Sequence, residues 1–329
     1  MSTPAGGYRA VVMVPWKVAW SRALYGPHGF YRSGVGPAGH FTTSTHGPLG
    51  AVLAEAVGVL ADREGATQVV DLGCGRGELL VHLCAARPDL RLTGVDVVER
   101  PAGLPRAISW LSAPGGATLP DALVDIEDAL VVAHEWLDVV PCTIAEVVAP
   151  GRLALVLVDP VTGVESLAGT GPDDEDLAWC ARHWPLEDLA VGSRVEVGLA
   201  RDRAWADLAS RVRRGTMLAV DYGHTRDARP AGATLTAYRA GSIVEAVPDG
   251  SCDLTAHVAV DSLEHDELST QRDALRSLGL DARPPVPDLS SSDPPAYLAG
   301  LARSSAAAAL TEPNGLGRFR WVYRRIEAA

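Results

Sequence analysis

The pattern most suited to chemistry is a glycine triplet that directly follows a short apolar run. The segment over residues 69–78 reads Val-Val-Asp-Leu-Gly-Cys-Gly-Arg-Gly-Glu, with glycines at 73, 75 and 77. A strand that runs into such a turn and then into a helix lets a ligand approach the backbone closely, because glycine has no side chain. The pattern predicts a small-molecule site at Gly73, Gly75 and Gly77, although a tight turn without a ligand would need the same residues.

The neighbouring acids and the glycine spacing favour one cofactor class. The third glycine comes one residue earlier than in the dinucleotide fingerprint G-x-G-x-x-G. Asp71, at the end of the predicted strand, suits the amine of a methionine moiety and is unfavourable beside a pyrophosphate. Asp96 ends the next predicted strand, where a carboxylate can accept both ribose hydroxyls. We therefore predict S-adenosyl-L-methionine as the cofactor.

A polar cluster follows the continuous apolar run at residues 129–133. Ligands of open α/β sheets bind beyond the carboxyl ends of the strands, so Glu135 and Asp138 are predicted to meet a substrate. Together they could hold a guanidinium and orient its nitrogen toward the methyl group. In the alternative, Asp138 caps a helix and Glu135 pairs with a structural arginine. His134 is either a base or a structural hydrogen-bond donor.

Two later segments carry further candidate groups. Asp221 and Tyr222 follow another apolar run, and they form either part of a cleft or a structural turn. Asp253, Thr255 and His257 alternate, which predicts that all three lie on one face of a strand. If that face meets the cleft, His257 is a candidate general base; otherwise it is a core hydrogen-bond donor.

The elements that must position these groups alternate between short β-branched runs and helical stretches, which is typical of a parallel α/β fold. Helices are predicted at residues 47–60 and 78–86. Strands are predicted at residues 68–72, 90–95, 107–111, 129–133, 216–220 and 319–326. Residues 1–50 form an opening rich in glycine and aromatic residues, above all at 25–43, and are expected to form turns and not a helix. Residues 284–295 are expected to form an exposed loop.

A long insert separates two of the predicted strands. Residues 145–158 predict a hairpin around Pro150 and Gly151, and the part that contains Trp179, Trp184 and Trp205 is predicted to be helical with these rings in its own core. We predict four parts: an N-terminal cap at 1–50, the cofactor-binding half of a Rossmann-like domain at 51–139, an inserted substrate subdomain at 140–214, and the C-terminal half at 215–329.

Six motifs, in this order, resemble the MidA-like class I methyltransferases, the family that includes the mitochondrial complex I assembly arginine methyltransferase. The resemblance covers residues 24–325. The motifs are the segment 25–43, the glycine segment 70–79, His-Glu-Trp-Leu-Asp-Val-Val-Pro at 134–141, Val-Asp-Tyr-Gly-His at 220–224, Thr-Leu-Thr-Ala-Tyr at 234–238 and Asp-Leu-Thr-Ala-His-Val at 253–258.

The resemblance implies an α/β, Rossmann-like seven-stranded sheet with an N-terminal cap and an inserted α+β substrate subdomain. It implies S-adenosyl-L-methionine as the cofactor and a protein arginine as an acceptor. The predicted cofactor contacts are Phe41, Thr42, Thr43, Asp71, Gly73, Gly75, Gly77, Asp96, Val97 and His134. The predicted catalytic residues are Glu135, Asp138 and His257, and the predicted substrate contacts are Asp221, Tyr222 and Trp136.

The sequence departs from this family at the cap, which leaves other functions open. The family has an aspartate before the Phe-x-Thr element and Ala-Pro-Glu after it, whereas this chain has His40 and then Ser44, Thr45 and His46. The cap therefore lacks two carboxylates. A small-molecule N- or O-acceptor and a non-catalytic cofactor-binding assembly factor remain alternatives.

Composition excludes several classes of protein. The net charge of −12 argues against nonspecific nucleic-acid binding, and five scattered cysteines suggest neither a disulfide framework nor a metal site. The sequence lacks a run of about 20 apolar residues and a signal-peptide pattern, so we expect a cytoplasmic protein without a membrane partner. We expect a protein or small-molecule methyl acceptor, and we leave a homodimer open.

Overall fold

The structure is a computed structural model that describes residues 12–32, 44–187 and 189–327. The helices are α1 (Trp16–Tyr25), α2 (Gly47–Arg63), α3 (Glu78–Ala86), α4 (Asp174–His183), α5 (Leu199–Ser210), α6 (Gln271–Ser277), α7 (Leu289–Ser292) and α8 (Pro294–Leu310). The strands are β1 (Val14–Pro15), β2 (Gln68–Leu72), β3 (Arg91–Asp96), β4 (Ile108–Ser112), β5 (Ile126–His134), β6 (Thr143–Ala149), β7 (Arg152–Val158), β8 (Glu165–Leu167), β9 (Arg194–Val197), β10 (Val212–Asp221), β11 (Gly223–His224), β12 (Thr236–Arg239), β13 (Ser242–Val244), β14 (Asp253–Thr255), β15 (Val258–Ala259), β16 (Glu267–Thr270) and β17 (Arg320–Ile326). Within these ranges, the helices are too short or too polar to cross a lipid bilayer.

A seven-stranded sheet organises the described residues, with the strand order β16-β17-β10-β5-β2-β3-β4. The five strands from β10 to β4 run parallel, and β17 runs antiparallel to both of its neighbours. The prediction of an α/β fold with a large, mostly parallel sheet is therefore confirmed. Because the carboxyl ends of the parallel strands lie at one edge of this sheet, the residues that follow them are brought together.

The central strands are apolar on both faces, as expected for a parallel sheet covered by helices on two sides. Val69 and Leu130 pack with α2, α3, α6 and α8 on one face, whereas Val70 and Val131 pack with α5 on the other. Alternate residues of a strand point to opposite faces, so each strand contributes to both cores. The strand ends that carry polar residues are thereby held in place.

A second sheet, with the order β1-β7-β6-β9 and with β8 paired to β7, forms from the insert and from β1, which directly precedes α1. The predicted hairpin is confirmed: β6 and β7 are antiparallel, and Gly151 turns between them at a φ of 66°. Trp179 and Trp184 pack inside this part. The expectation for Trp205 was wrong, because α5 lies against the central sheet and buries that ring there.

Two expectations about loops also require correction. The opening predicted to form turns contains a helix, because α1 spans Trp16–Tyr25. Residues 284–295 hold α7 and the start of α8, because Asp293 accepts a hydrogen bond from the Ala296 amide (3.1 Å) and Pro294 occupies the first helical turn. The small sheet β13-β12-β14 and the pair β11-β15 lie near the carboxyl edge of the central sheet.

Candidate active site

A cavity of about 940 Å³ lies beyond the carboxyl ends of the parallel strands. Asp71 reaches it from β2, Asp96 from β3 and His134 from β5, and Tyr222 lines it just after β10. The volume is near the upper end of the range of roughly 300–1,000 Å³ that is usual for ligand sites. It therefore offers room for a nucleoside-sized cofactor and for part of a second molecule.

The glycine turn forms one wall of the cavity. Gly73 and Gly75 have φ angles of 70° and 59°, which L side chains rarely adopt. A Cβ on Gly73 would also lie 3.4 Å from the Trp136 side chain. Gly77, at φ 82°, precedes the first residue of α3, and a Cβ there would lie 2.8 Å from Leu104. The turn therefore exposes backbone to the cavity, as a closely bound cofactor requires.

Asp96 is fixed at the edge of this wall by two backbone amides. Its Oδ2 accepts from the Gly75 amide (2.7 Å) and its Oδ1 from the Val98 amide (3.1 Å). Burial raises the pKa of Asp96 to about 6, although these hydrogen bonds act in the opposite direction. A carboxylate held in this way can accept further hydrogen bonds from a diol, so Asp96 fits a ribose.

Asp71 supplies a second acid deeper in the same wall. Burial raises the pKa of Asp71 well above its ordinary value, and the negative charges of Asp96 and Glu78 raise it further. A cationic ligand group nearby would favour the ionised form. The residues present thus fit both the amine and the ribose of S-adenosyl-L-methionine.

The loop after β4 closes the opposite side of the cofactor region. Gly115 and Gly116 lie so close to Tyr25 that a Cβ on Gly115 would be 2.4 Å from the ring. Trp136 Nε1 donates to the Gly116 carbonyl at 3.1 Å. The phenol of Tyr25 donates to the Val139 carbonyl at 2.9 Å, so α1 and the β5 tip hold this loop together.

Glu135 is the first residue after β5 and has a strained backbone. Its φ is 53°, an unusual value for a non-glycine residue, and its amide donates to the Val220 carbonyl at 2.8 Å. The Tyr222 hydroxyl donates to Glu135 Oε2 at 2.8 Å, and His134 Nδ1 lies 3.3 Å from Oε1. The backbone and both carboxylate oxygens are thus positioned by neighbours, which is typical of a functional side chain.

Asp138 and Asp221 form a buried acidic pair behind Glu135. Asp221 Oδ2 accepts from the amides of Leu137 (3.0 Å) and Asp138 (3.1 Å), so it holds the loop that carries Asp138. Burial and the neighbouring carboxylates raise the pKa of Asp138 well above its ordinary value, and burial also raises that of Asp221. The Oδ1 atoms of both are buried without a hydrogen-bond partner in the described part of the chain.

Arg201 is the buried cation of this region. Its guanidinium, almost fully enclosed, donates to three backbone carbonyls: Val140 (3.1 Å), Asp138 (2.9 Å) and His257 (2.6 Å). Its charge favours the ionised forms of Asp138 and Asp221, but its N–H groups are directed to carbonyl oxygens. Asp138, which lines the cavity, therefore keeps capacity for a donor that arrives from it.

Aromatic side chains complete this acidic end. The rings of Tyr25 and Tyr31 stack with centroids 5.6 Å apart, and Tyr238 lines the cavity from β12. Tyr31 donates to Asp253 Oδ1 at 2.7 Å. Burial raises the pKa of Asp253 to about 7, with a further contribution from Glu135.

Most of the residues singled out in the sequence come together in this cavity. Those that line it are Asp71, Gly73, Gly75, Asp96, Val97, His134, Glu135, Trp136, Asp138 and Tyr222. Gly77 lies at the start of α3 and Asp221 lies behind the Asp138 loop, so neither lines the cavity. Phe41, Thr42 and Thr43 lie outside the described residues.

His257 differs from its expected placement. The strand that begins at Asp253 ends at Thr255, so the predicted alternation stops before His257. Asp253 and Thr255 line the cavity, whereas His257 is exposed and stands outside its lining, 6.1 Å from the Tyr222 ring between centroids. The expectation that all three residues share one strand face was wrong, and the role of His257 as a base stays a prediction.

Several cavity residues had no signal of their own in the sequence. Ser44 contacts the His134 ring through its hydroxyl group. Gly115 and Gly116 belong to the irregular loop after β4. Tyr25, Tyr31 and Tyr238 fall within motifs of the family resemblance, but periodicity could not show that they meet. Contacts across 114 and 222 residues bring the first two to the site.

The fold and the site together define a class of protein. A parallel sheet with a glycine turn after β2 and an acidic residue at the end of β3 is typical of S-adenosyl-L-methionine-dependent methyltransferases. Residues 49–278 match the family model described as "Putative S-adenosyl-L-methionine-dependent methyltransferase". This match spans more than half of the chain, and the protein belongs to that family.

Solved structures support the fold. A protein from Burkholderia thailandensis with bound S-adenosyl-homocysteine is 23% identical, with a TM-score of 0.71 over 96% of this chain and 89% of that one. A native structure from the same organism gives a TM-score of 0.70 at the same identity and coverage. No curated protein matches the chain.

Proposed function

We propose that the protein methylates an arginine side chain of another protein, with S-adenosyl-L-methionine as the methyl donor. The observation that carries this proposal is the acidic and aromatic end of the cavity. Glu135, Asp138 and Asp253 line it together with Tyr31 and Tyr238.

The charge and hydrogen-bonding capacity of this end favour a guanidinium. Burial raises the pKa of Asp138 and of Asp253, so a positive charge bound beside them would favour their ionised forms. A guanidinium brings a permanent positive charge and five N–H donors in one plane. It would satisfy the free Oδ1 of Asp138, and its flat face suits the tyrosine rings of the wall.

Glu135 is the proposed catalytic residue. When bound, S-adenosyl-L-methionine supplies a methyl group on a cationic sulfur, and transfer leaves a neutral thioether. Methylation of a guanidinium requires that a nitrogen proton leave, and an ionised carboxylate can accept it. Glu135 would accept that proton and orient the nitrogen for in-line attack, while Asp138 would bind another guanidinium nitrogen.

We assign the remaining positions as follows. The proposed cofactor contacts are Asp71, Gly73, Gly75, Asp96, Val97 and His134, with Gly77 setting the turn. Phe41, Thr42 and Thr43, which lie outside the described residues, stay proposed contacts on the strength of the family resemblance. Trp136 and Tyr222 are proposed walls of the substrate site, and Asp221 positions Asp138. His257 remains a proposed base.

The proposal includes membership of the MidA-like group and the four-part organisation with boundaries after residues 50, 139 and 214. The motifs that support the MidA-like assignment contribute Glu135, Asp138, Tyr222, Tyr238 and Asp253 to the same cavity region. A small-molecule acceptor is the second candidate, favoured by the cap, because residues 44–46 carry no carboxylate and the side chain that reaches His134 from this stretch is the Ser44 hydroxyl.

The test combines binding and label transfer. Calorimetry with S-adenosyl-homocysteine should show binding by the wild type, and its absence would remove the cofactor assignment. Radiolabelled S-adenosyl-L-methionine is then added to lysate and to arginine-containing peptides, with Glu135→Gln as the control variant. Label in protein or peptide supports arginine methylation, provided that lysine substitution of the arginine abolishes it.

Other outcomes point to the alternatives. Label that appears only in the extractable small-molecule fraction would contradict a protein acceptor. Binding of S-adenosyl-homocysteine with no label in either fraction would favour a non-catalytic assembly factor.

A further inference from the structure

We propose that His134 holds the proton released by the methyl acceptor, which reaches it from Glu135 through the hydroxyl group of Ser44. The inference rests on the proposed function, because it takes Glu135 as the first acceptor of that proton. His134 is thus a positioning residue that acts through Glu135.

The three side chains form a closed set of contacts. His134 Nδ1 lies 3.3 Å from Glu135 Oε1, and His134 Nε2 lies 2.9 Å from Ser44 Oγ. Ser44 Oγ also lies 3.4 Å from Glu135 Oε1. One imidazole nitrogen can therefore orient the carboxylate directly, while the other is reached from that carboxylate through a single hydroxyl.

The surroundings determine which nitrogen carries the proton. An ionised Glu135 favours the tautomer with hydrogen on Nδ1, which leaves a lone pair on Nε2 directed to Ser44. Burial lowers the pKa of His134 and so favours the neutral ring, while the charge of Glu135 acts in the opposite direction. In the neutral ring with hydrogen on Nδ1, Nε2 faces Ser44 Oγ at 2.9 Å and is the nitrogen that can accept a proton.

Titratable groups from several elements line the cavity that His134 also lines. Glu135 follows the same strand, Tyr222 follows β10, Asp71 lies on β2, and His46 precedes α2; all of them line the same cavity. Glu135 is the group whose charge acts on the pKa of His134. A charged ligand beside Asp71 would act on it from the cofactor side.

The proton transfer balances without a further reactant. As a nitrogen–carbon bond forms and the carbon–sulfur bond breaks, the electron pair of the broken bond stays on sulfur. The acceptor nitrogen loses a proton to Glu135. That proton passes to Ser44 Oγ while the Ser44 hydroxyl proton passes to His134 Nε2. The products at the site are an ionised Glu135 and an imidazolium, which stabilise each other by charge.

The first test needs no methyl acceptor. Two-bond proton–nitrogen spectra of histidine-labelled protein with S-adenosyl-homocysteine report the tautomer, and loss of a signal in His134→Asn assigns the residue. We expect a neutral ring at pH 7 with hydrogen on Nδ1, and a shift of that tautomer balance in Glu135→Gln. A ring that is already an imidazolium at pH 7, or that carries hydrogen on Nε2, would overturn the proposal.

The second test measures turnover with an arginine-containing peptide that accepts label. Asparagine at 134 can still donate to Glu135 but cannot store a proton. We expect His134→Asn to lower kcat about 10-fold, below the usual range for a directly acting acid or base. The KM for peptide should change less than about twofold, and the decrease of kcat at low pH that the imidazole causes should disappear.

Ser44 provides a matched pair of variants. Ser44→Ala should reproduce the lower kcat and the loss of its decrease at low pH, whereas Ser44→Thr, which keeps the hydroxyl, should stay within about threefold of the wild type. An unchanged pH profile in His134→Asn would contradict the proposal. If the wild type labels neither peptide nor lysate protein, the arginine proposal fails, and the tautomer measurement alone decides the inference.

Discussion

The two ends of the cavity are built in different ways. One wall of the cofactor end comes from a continuous stretch between β2 and the end of β3, where two backbone amides hold Asp96. The acceptor end gathers side chains from segments far apart in the chain, such as Tyr31 and Asp253, which are 222 residues apart. Its carboxylates are buried and crowded, and most of them have raised pKa values.

This difference indicates that the two ends of the cavity have different tasks. Backbone amides and glycine turns recognise the part of the reaction that is common to the whole class, so they need few specific side chains. Crowded carboxylates store electrostatic free energy that a cationic acceptor would release on binding. Changes at one end should therefore leave the other end nearly intact.

The largest effect is expected from Glu135→Gln at the acceptor end. Loss of the proton acceptor should lower the rate of label transfer at least about 100-fold, the lower limit for a general base. The affinity for S-adenosyl-homocysteine, measured by calorimetry, should change less than about twofold. A matched loss of cofactor affinity would show that the two ends are not separate.

The converse change is Asp96→Ala at the cofactor end. Removal of a charged hydrogen-bond acceptor should weaken binding of S-adenosyl-homocysteine by about 1–3 kcal/mol. Thermal unfolding of the ligand-free variant checks that the glycine turn survives without the bond from Gly75. Unchanged affinity in a folded variant would remove Asp96 from the cofactor site.

The acceptor end should also make stability depend on pH. The pKa of Asp253 is raised to about 7, so the folded protein retains a proton that the unfolded chain loses near pH 4. Stability is then lost as the pH rises from about 4 to about 7. We expect Asp253→Asn, which can still accept from Tyr31, to reduce that loss by about 1–3 kcal/mol in chemical denaturation. An identical pH dependence in both proteins would contradict the raised pKa.

The smallest effect is expected from His257→Gln. The imidazole is exposed and outside the cavity lining, so label transfer should fall less than about threefold if Glu135 is the proton acceptor. The backbone carbonyl that binds Arg201 remains in the variant. A loss as large as that of Glu135→Gln would establish His257 as the base.

The sequence predicts the two ends of the cavity to different extents. The glycine spacing and the two aspartates at strand ends identified the cofactor end, because these signals are local and the fold repeats them in a fixed order. Glu135 and Asp138 were found since they follow a continuous apolar run. The strand bounds differed by a few residues, as with β10, which begins at Val212 rather than at 216.

The acceptor end was predicted less completely for a physical reason. Tyr25 and Tyr31 reach the cavity only because α1 packs against the loop after β4 and against β14, and such long-range contacts leave no periodic pattern in the sequence. His257 was expected on a strand face because alternation looks the same whether or not the strand continues. The absence of the family's carboxylates from the cap is visible in the sequence. The contact between Ser44 and His134 could not be predicted from it.

The hydrogen bonds that join Tyr25 and Tyr31 to distant parts of the chain have a consequence for folding. Tyr25 reaches across 114 residues to Val139, and Tyr31 reaches Asp253. Contacts of such separation form late, because loop closure must precede them. During synthesis, the glycine turn and β3 could assemble long before residue 253 leaves the ribosome. The acidic and aromatic end of the cavity would then be completed last, once Asp253 meets Tyr31.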